Sequence, residues 1–467
     1  MKLLEIGCVG MIGVIAGGAF GGGGTVFDAS TMYQLDFTTG RNRDVHFADL
    51  NGDGKADVLY WIPGTYSFQV AIGQGDGSFV AGSVCVVDQP DGVGLRESEL
   101  LDIDLDGDLD LVLNQTVVTE DPFIGVELYS WRLTVCENDG DGSFVDTLEA
   151  VEYDGSYKFG GTFLMMVGDF DGDGLRDEVG MSDLAQEWIF VYGWDDGWVS
   201  RGTIDDIAAP IPAVTDGVVS VDYDLDGDDD LVFQVKATLP YLAVYENQGG
   251  YSFVESAILD TGPNIVMGLR PYGVYSGDLD GDSYDELIVF NQSTTVPFYD
   301  EVRVFSNNGG GFMTGDVGEI YPVGEMDSPT SGGGDLVAVG DIDLDGVADL
   351  AVNGNLGDQS VWWYRSDPMT GLALAEMPAI GRGDVRLVDI NADGALDLVV
   401  CRYGQQPRVV LNRLGGSVCE ADLTGDGELD FFDLSELLMS GIDYNGDTSF
   451  DFFDISVYLQ DYSEGCP

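Results

Sequence analysis

Nine-residue clusters of oxygen-bearing side chains recur along this chain at strict internal spacing. In "DLNGDGKAD", Asp49, Asn51 and Asp53 alternate with other residues, Gly54 follows, and Asp57 closes the set before the apolar run Val58–Ile62. The same order, Asp-x-Asp/Asn-x-Asp-Gly-x-x-Asp, returns at Asp102, Asp169, Asp222, Asp278, Asp341 and Asp389, in steps of 48 to 67 residues. Clustered carboxylates repel one another unless a positive charge sits among them. Four or five hard oxygens on a short loop suit a cation of flexible, high coordination, calcium ahead of magnesium. Zinc or copper would want His or Cys ligands, and His46 is the one histidine of the sequence. A solvated acidic turn is the bland alternative, and seven copies at one spacing weigh against it.

Something must hold these loops in place. Each is preceded by an alternating apolar run, such as Val337–Gly340, and followed by a strand-like one, such as "LVLN", "LVFQ" or "LIVF". Further on comes a Gly-rich turn with an aromatic exit: "GQGDGSF", "ENDGDGSF", "ENQGGYSF", "SNNGGGF". Four short strands in a period of about 57 residues predict an all-β fold, a β-propeller. The seventh repeat stops after "QPRVVLNRLGG", while the N-terminal stretch Gly21–Asp36 matches Gly75–Asp88 of the first repeat. The N-terminal strand is therefore expected to complete a seventh blade and close the ring, which removes exposed strand edges.

Over roughly residues 25–414 these motifs resemble the FG-GAP/VCBS repeats of integrin-α-like propellers. The resemblance implies calcium in a loop joining the first two strands of each blade. Its ligands would be side chains at positions one, three, five and nine and the backbone carbonyl of position seven. On this sequence those positions are Asp49, Asn51, Asp53, Lys55 and Asp57; Asp102, Asp104, Asp106, Asp108 and Asp110; and Asp169, Asp171, Asp173, Leu175 and Asp177. They continue as Asp222, Asp224, Asp226, Asp228 and Asp230; Asp278, Asp280, Asp282, Tyr284 and Glu286; Asp341, Asp343, Asp345, Val347 and Asp349; and Asp389, Asn391, Asp393, Ala395 and Asp397. The fifth loop departs from the pattern, with Ser283 in place of glycine and Glu286 at position nine.

The tail, residues 419–467, reads as a separate small helical module. "DLTGDGELDFFD" and "DYNGDTSFDFFD" follow EF-hand loop arithmetic, with Asp at position twelve instead of Glu. Their candidate ligands are Asp422, Thr424, Asp426, Glu428 and Asp433, then Asp443, Asn445, Asp447, Ser449 and Asp454. Short amphipathic runs, "LSELLMS" and "ISVYLQDY", follow the loops. A duplicated loop–helix of this kind resembles a type I dockerin of planctomycete type, which implies a cohesin-like or surface-anchoring partner. Nine residues separate the two loops, fewer than in clostridial dockerins. Cys419 and Cys466 bracket the module and are expected to pair.

The composition limits the partners. A formal net charge of −66, from 84 acidic and 18 basic residues, disfavours nucleic acid and anionic membranes. Residues 1–19 read as a signal peptide: Lys2, an apolar stretch to Phe20, and Gly17-Gly18-Ala19 as the cleavage site. The expectation is a secreted or cell-surface protein without a membrane span after processing. Cys85, Cys136 and Cys401 have no CxxC or Cys/His neighbourhood and read as small buried hydrophobes.

No G-x-S-x-G, HExxH or Cys/His motif is present. His46 reads as a packed strand residue, and the RGD at 382–384 is given no weight in a chain this rich in Gly and Asp. Loops at the end opposite the acidic ones gather Arg41, Arg43, Arg96, Lys158, Arg270, Arg382 and Arg402, with aromatics including Trp61, Tyr66 and Tyr403. That mixture suits a polysaccharide or a surface protein. The leading reading is a calcium-binding adhesion or scaffold propeller without catalytic activity. A polysaccharide lyase carrying a dockerin-like module is the alternative.

Overall fold

The computed structural model describes residues 26–27, 32–39, 44–87, 93–120, 127–152, 165–183, 188–194, 197–204, 214–235, 241–261, 269–293, 298–313, 318–326, 336–353, 361–367, 371–381, 383–414, 455 and 458. Residues 1–19, expected to be a signal peptide, both tail loops and Cys419 and Cys466 lie outside the described residues, as do Arg41, Arg43, Lys158 and Arg382.

Among the described residues, twenty-eight strands form seven four-stranded antiparallel sheets. The chain enters through β1 (Tyr33–Gln34) and then builds blade 1 from β2 (Val45–Ala48), β3 (Asp57–Trp61), β4 (Ser67–Gly73) and β5 (Phe79–Val86). Blade 2 is β6 (Val93–Leu101), β7 (Asp110–Glu120), β8 (Glu127–Asn138) and β9 (Phe144–Glu152). Blade 3 is β10 (Met165–Gly168), β11 (Glu178–Asp183), β12 (Trp188–Trp194) and β13 (Trp198–Ile204). Blade 4 is β14 (Val214–Val221), β15 (Asp230–Val235), β16 (Tyr241–Asn247) and β17 (Phe253–Asp260). Blade 5 is β18 (Leu269–Gly277), β19 (Glu286–Ser293), β20 (Phe298–Phe305) and β21 (Glu319–Met326). Blade 6 is β22 (Val337–Gly340), β23 (Asp349–Asn353), β24 (Val361–Arg365) and β25 (Ala373–Glu376). Blade 7 takes β26 (Asp384–Val388), β27 (Asp397–Cys401) and β28 (Arg408–Val410), and its fourth strand is β1.

The ring closes as the repeat arithmetic predicts. Tyr33 pairs with Val409, Gln34 with Arg408, and Phe27 bridges to Asn412. Glu376 of blade 6 also accepts the backbone N–H groups of Val26 and Phe27. The last blade is thus stapled on both sides of its outer strand.

Burial explains why the strands read as they do. Second strands are sandwiched between neighbouring blades, so β15, β23 and β27 are buried at every residue. Outer strands alternate or face solvent, as in β5 and β13. Seven hydrophobic clusters result, one at each junction between adjacent blades. Cys85 and Cys136 belong to the junction of blades 1 and 2 and Cys401 to that of blades 7 and 1; all three are buried. They pack as small hydrophobes.

Candidate metal centre: seven acidic loops at one end

All seven acidic loops join the first and second strands of a blade, so they share one end of the propeller with the Gly-rich turns between third and fourth strands. The loops wind around their own carboxylates. Asp49 accepts the N–H of Gly54 at 2.8 Å, and Asp102, Asp169, Asp278, Asp341 and Asp389 accept from position six in the same way. The position-five carboxylate accepts the N–H of position seven in every loop, from Asp53–Lys55 to Asp393–Ala395. Position six is left-handed throughout, which is why the motif wants glycine there; Ser283 adopts it at φ 77°. Leu105, Leu225, Leu344 and Ala392 at position four are also left-handed, at a cost of about 1–2 kcal/mol each.

The position-nine acid has a different task from the others. Asp57 accepts the N–H of Leu50 at 3.0 Å through one oxygen and that of Gly73, at the end of β4, at 2.7 Å through the other. Asp110, Asp230, Glu286, Asp349 and Asp397 repeat this two-armed contact, tying loop start to third strand. Burial pushes their carboxyl pKa values up, to about 6 for Asp57, about 7 for Asp110 and Asp349, about 8 for Glu286 and Asp397 and about 9 for Asp230. The backbone N–H groups counteract this only partly.

Loop 3 corrects the sequence assignment. Elsewhere the residue before position one pairs with position nine, as Ala48 does with Asp57, but Gly168 pairs with Glu178. The loop is one residue longer, so Glu178 takes the two-armed seat, accepting Phe170 N–H at 3.0 Å and Tyr251 Oη–H at 2.6 Å. Asp177, expected at that seat, becomes an additional acid beside it.

Carboxylates converge where the spacing places them. Ligand atoms of Asp102, Asp104 and Asp110 lie within 4.8 Å of one another, as do those of Asp222, Asp224 and Asp230 and of Asp341, Asp343 and Asp349. In loops 3 and 5 the converging sets are positions one, three and five: Asp169, Asp171 and Asp173, and Asp278, Asp280 and Asp282. Loops 1 and 7 offer the amides of Asn51 and Asn391 at position three. Asp102 Oδ1, Asp343 Oδ1 and Asn391 Oδ1 are buried and accept no hydrogen bond among the described residues. A buried oxygen left in that state carries a desolvation cost that a bound cation would remove. The donor set fits a hard divalent ion.

Cations of the protein itself also meet these loops. Arg176 pairs with Asp229 at 3.0 Å between loops 3 and 4, and Lys55 lies 3.8 Å from Asp53. Arg365, at the end of β24, reaches Asp343 and Asp345 of loop 6.

A second set of residues was not singled out from sequence. Asn138, Asn247, Asn307 and Asn412 stand where the third strand enters the Gly-rich turn. Each donates its amide across the junction to the preceding blade's loop: to Leu50 O at 2.9 Å, Phe170 O at 3.0 Å, Tyr223 O at 2.6 Å and Ile342 O at 2.7 Å. The repeated "EN", "SN" and "LN" before the turns was the visible signal.

The opposite end differs from expectation at several residues. Trp61 ends β3 and is buried, edge-on to Phe68 and Tyr66 in the junction of blades 1 and 2, so it offers no free stacking face. Arg96 and Arg270 lie within β6 and β18 rather than in loops. Arg402 does lie in an exposed turn, next to Tyr403, which is 72% exposed; Tyr66 is 58% exposed in the equivalent turn of the adjacent blade 1.

His46 is buried in β2, with Nε2 2.8 Å from Ser98 Oγ, which in turn donates to Asp44 Oδ1 at 3.1 Å. Burial first, then Arg386, pushes its pKa down to about 3. Because Ser98 gives its proton to Asp44, Nε2 must carry a proton itself. The trio therefore runs in the wrong order to activate a serine.

Comparison with known families agrees with the repeat. A model described as FG-GAP-like repeat matches residues 49–113 and 222–289, spans that begin at loops 1 and 4 and end just past loops 2 and 5. The chain carries FG-GAP-like repeats in a seven-bladed propeller. No curated protein matches it. Among solved structures, BBS1N in complex with ARL6DN, soaked with mercury, is similar at 9% identity and a TM-score of 0.39, covering 82% of this chain and 97% of that one. So low a score carries no functional argument.

Proposed function

We propose that this chain is a secreted or cell-surface calcium-binding propeller that acts as a non-enzymatic binding, adhesion or scaffold protein. The observation that carries the calcium reading is the convergence of three carboxylates within 4.8 Å in five loops, with unpartnered buried oxygens in loops 2, 6 and 7. Side chains at positions one, three, five and nine would hold the ion, and the carbonyl of position seven would complete its shell. Bound calcium supplies positive charge that relieves carboxylate repulsion. Its role is structural, and ligand contact belongs to the opposite end, where Arg402, Tyr403 and Tyr66 are exposed. An anionic polysaccharide or a surface protein suits such a surface. The tail loops, from Asp422 and Asp443, fit a second calcium module with a cohesin-like or surface-anchoring partner.

The test is thermal unfolding in millimolar calcium against EDTA. Each ion bound by the native state alone adds RT ln(1 + [L]/Kd), about 2.7 kcal/mol at a hundredfold excess over Kd. Several sites together should raise the midpoint by well over ten degrees. An unchanged midpoint rejects the reading.

A further inference from the structure

Six of the position-nine seats are closed by the last residue of the third strand or by one of the two residues after it, which fixes the residue just before it close to the loop. In blades 2, 4 and 6 the N–H groups of Asn138, Asn247 and Ser366 reach Asp110, Asp230 and Asp349 at 2.8 Å each. The preceding residues are Glu137, Glu246 and Arg365. The same place in the fold thus carries an acid in blades 2 and 4 and a base in blade 6, and Glu137 of blade 2 accepts Trp194 Nε1–H of blade 3 at 3.1 Å. Glu246 adds its negative charge to the field at Asp224 of loop 4. Arg365 does the reverse: its Nε lies 2.5 Å from Asp343 Oδ2 and its Nη2 3.0 Å from Asp345 Oδ2.

The contact to Asp345 is the decisive one. Asp345 Oδ1 already accepts the N–H of Val347 at 3.0 Å, as the position-five oxygen does in every loop, so Oδ2 is the oxygen left for an ion. In loop 6 the guanidinium holds it. Asp343 keeps Oδ1, buried and unpartnered, alongside Asp341 and Asp349.

We propose that the residue at the exit of the third strand sets the cation affinity of the loop beside it in blades 4 and 6, and that Arg365 makes loop 6 a weak, reversible site in which calcium and the guanidinium compete for Asp345. This rests on the calcium reading above. The side chain of Arg365 is half exposed, at 50%, so it can swing into solvent when an ion enters. At low calcium it serves as a tethered counter-ion that keeps three acids together. Loop 4, with Glu246 in the same place, fills before loop 6.

The experiment is a calcium titration of the full chain against a competing chelator, followed by calorimetry. Asp341→Asn identifies the loop 6 component and Asp222→Asn that of loop 4. Arg365→Gln should tighten loop 6 about tenfold or more, because even at water's dielectric a monovalent and a divalent cation within ~6 Å repel by about that factor. Arg365→Lys, which keeps the charge and loses the two-pronged contact, should fall between. Glu246→Arg should weaken loop 4 by a similar factor. Loop 6 affinity unchanged or weakened by Arg365→Gln overturns the proposal, and would make Arg365 an orienting partner of Asp343. If the wild-type chain binds no calcium, the inference falls together with the calcium reading; if it binds and the variants do not respond, the inference falls alone.

Discussion

The two ends of this propeller are built by different rules. At the acidic end, one loop design recurs seven times, lengthened by a residue in loop 3, with the same position-five to position-seven hydrogen bond and the same left-handed positions. At the other end, connections vary in length and composition, and side chains of similar type have unlike fates: Trp61 is buried while Tyr66, five residues on, stands in solvent. A repeated local code makes a structural ring; variation at the opposite rim leaves room for recognition. The comparison separates what holds the molecule together from what it can meet.

The largest effect should come from opening the ring. Deleting Thr25–Phe37 removes β1, the Phe27 bridge to Asn412 and the apolar groups of Val26, Phe27, Leu35 and Phe37 from two junction clusters. Blade 7 would be left with β28 as an open edge. The expected outcome is an aggregating or protease-sensitive chain by size-exclusion and limited proteolysis, with or without calcium. A monomer of wild-type midpoint would mean that the ring is held shut by something other than this strand.

Proton uptake distinguishes the ends without any mutation. The position-nine acids and Glu178 are raised to between about 6 and about 9 by burial, whereas carboxylates of an unfolded chain titrate near ~4. Between about pH 4 and pH 8 the native state therefore holds protons that the unfolded state has released. Calcium-free stability must fall as pH rises through that window. Added calcium replaces those protons as the neutralising charge and should flatten or reverse the slope. Unfolding midpoints in EDTA at pH 5 and pH 8 measure it; a calcium-free midpoint that rises with pH contradicts the buried, uncompensated state of these acids.

Within the acidic end, pinning and chelating can be pulled apart. Asp230→Ala strands the N–H groups of Tyr223 and Asn247 in the core. The expected cost is about 2–4 kcal/mol already in EDTA, before any loss of calcium binding. Asp226→Ala removes an exposed position-five side chain. It should leave EDTA stability within about 1 kcal/mol of wild type while shrinking the gain from calcium. Equal losses from both variants in EDTA would show that the loops are a single structural unit with no division of labour.

The contrast also accounts for what could be read in advance. Blade number, ring closure and the seven loops depend on short-range spacing and on self-similarity, and both are visible in one dimension. In loop 3 "DGLRDE" offers two adjacent acids, and only the pairing of Gly168 with Glu178 shows which one takes the two-armed seat. Arg365 was not foreseen because twenty residues separate it from Asp345, and the pairing of β23 with β24 brings them together. Trp61 was placed on a rim because a strand was ended too early; the next blade covers it. Such features depend on which strand lies beside which, and on how far each extends.

The smallest effect tests what joins one acidic loop to the next. Asn247 spans the junction of blades 3 and 4, donating to Phe170 O at 3.0 Å and to Asp229 O at 3.2 Å, and its own backbone is held by Asp230. Asn247→Ala leaves the backbone contact in place and removes the amide, stranding two buried carbonyls, at about 1–2 kcal/mol. Asn307→Ala does the same at the junction of blades 4 and 5, where the donor meets Tyr223 O at 2.6 Å. The two junctions share Tyr223 and Asp230 through blade 4, so the double variant should cost more than the sum of the singles in EDTA. If calcium acts within each loop, it should restore little of that loss, because the missing bonds run between loops. Full rescue of the double variant by calcium would mean instead that ions bridge adjacent blades, and that the acidic end is one continuous ring of charge and not seven separate cages.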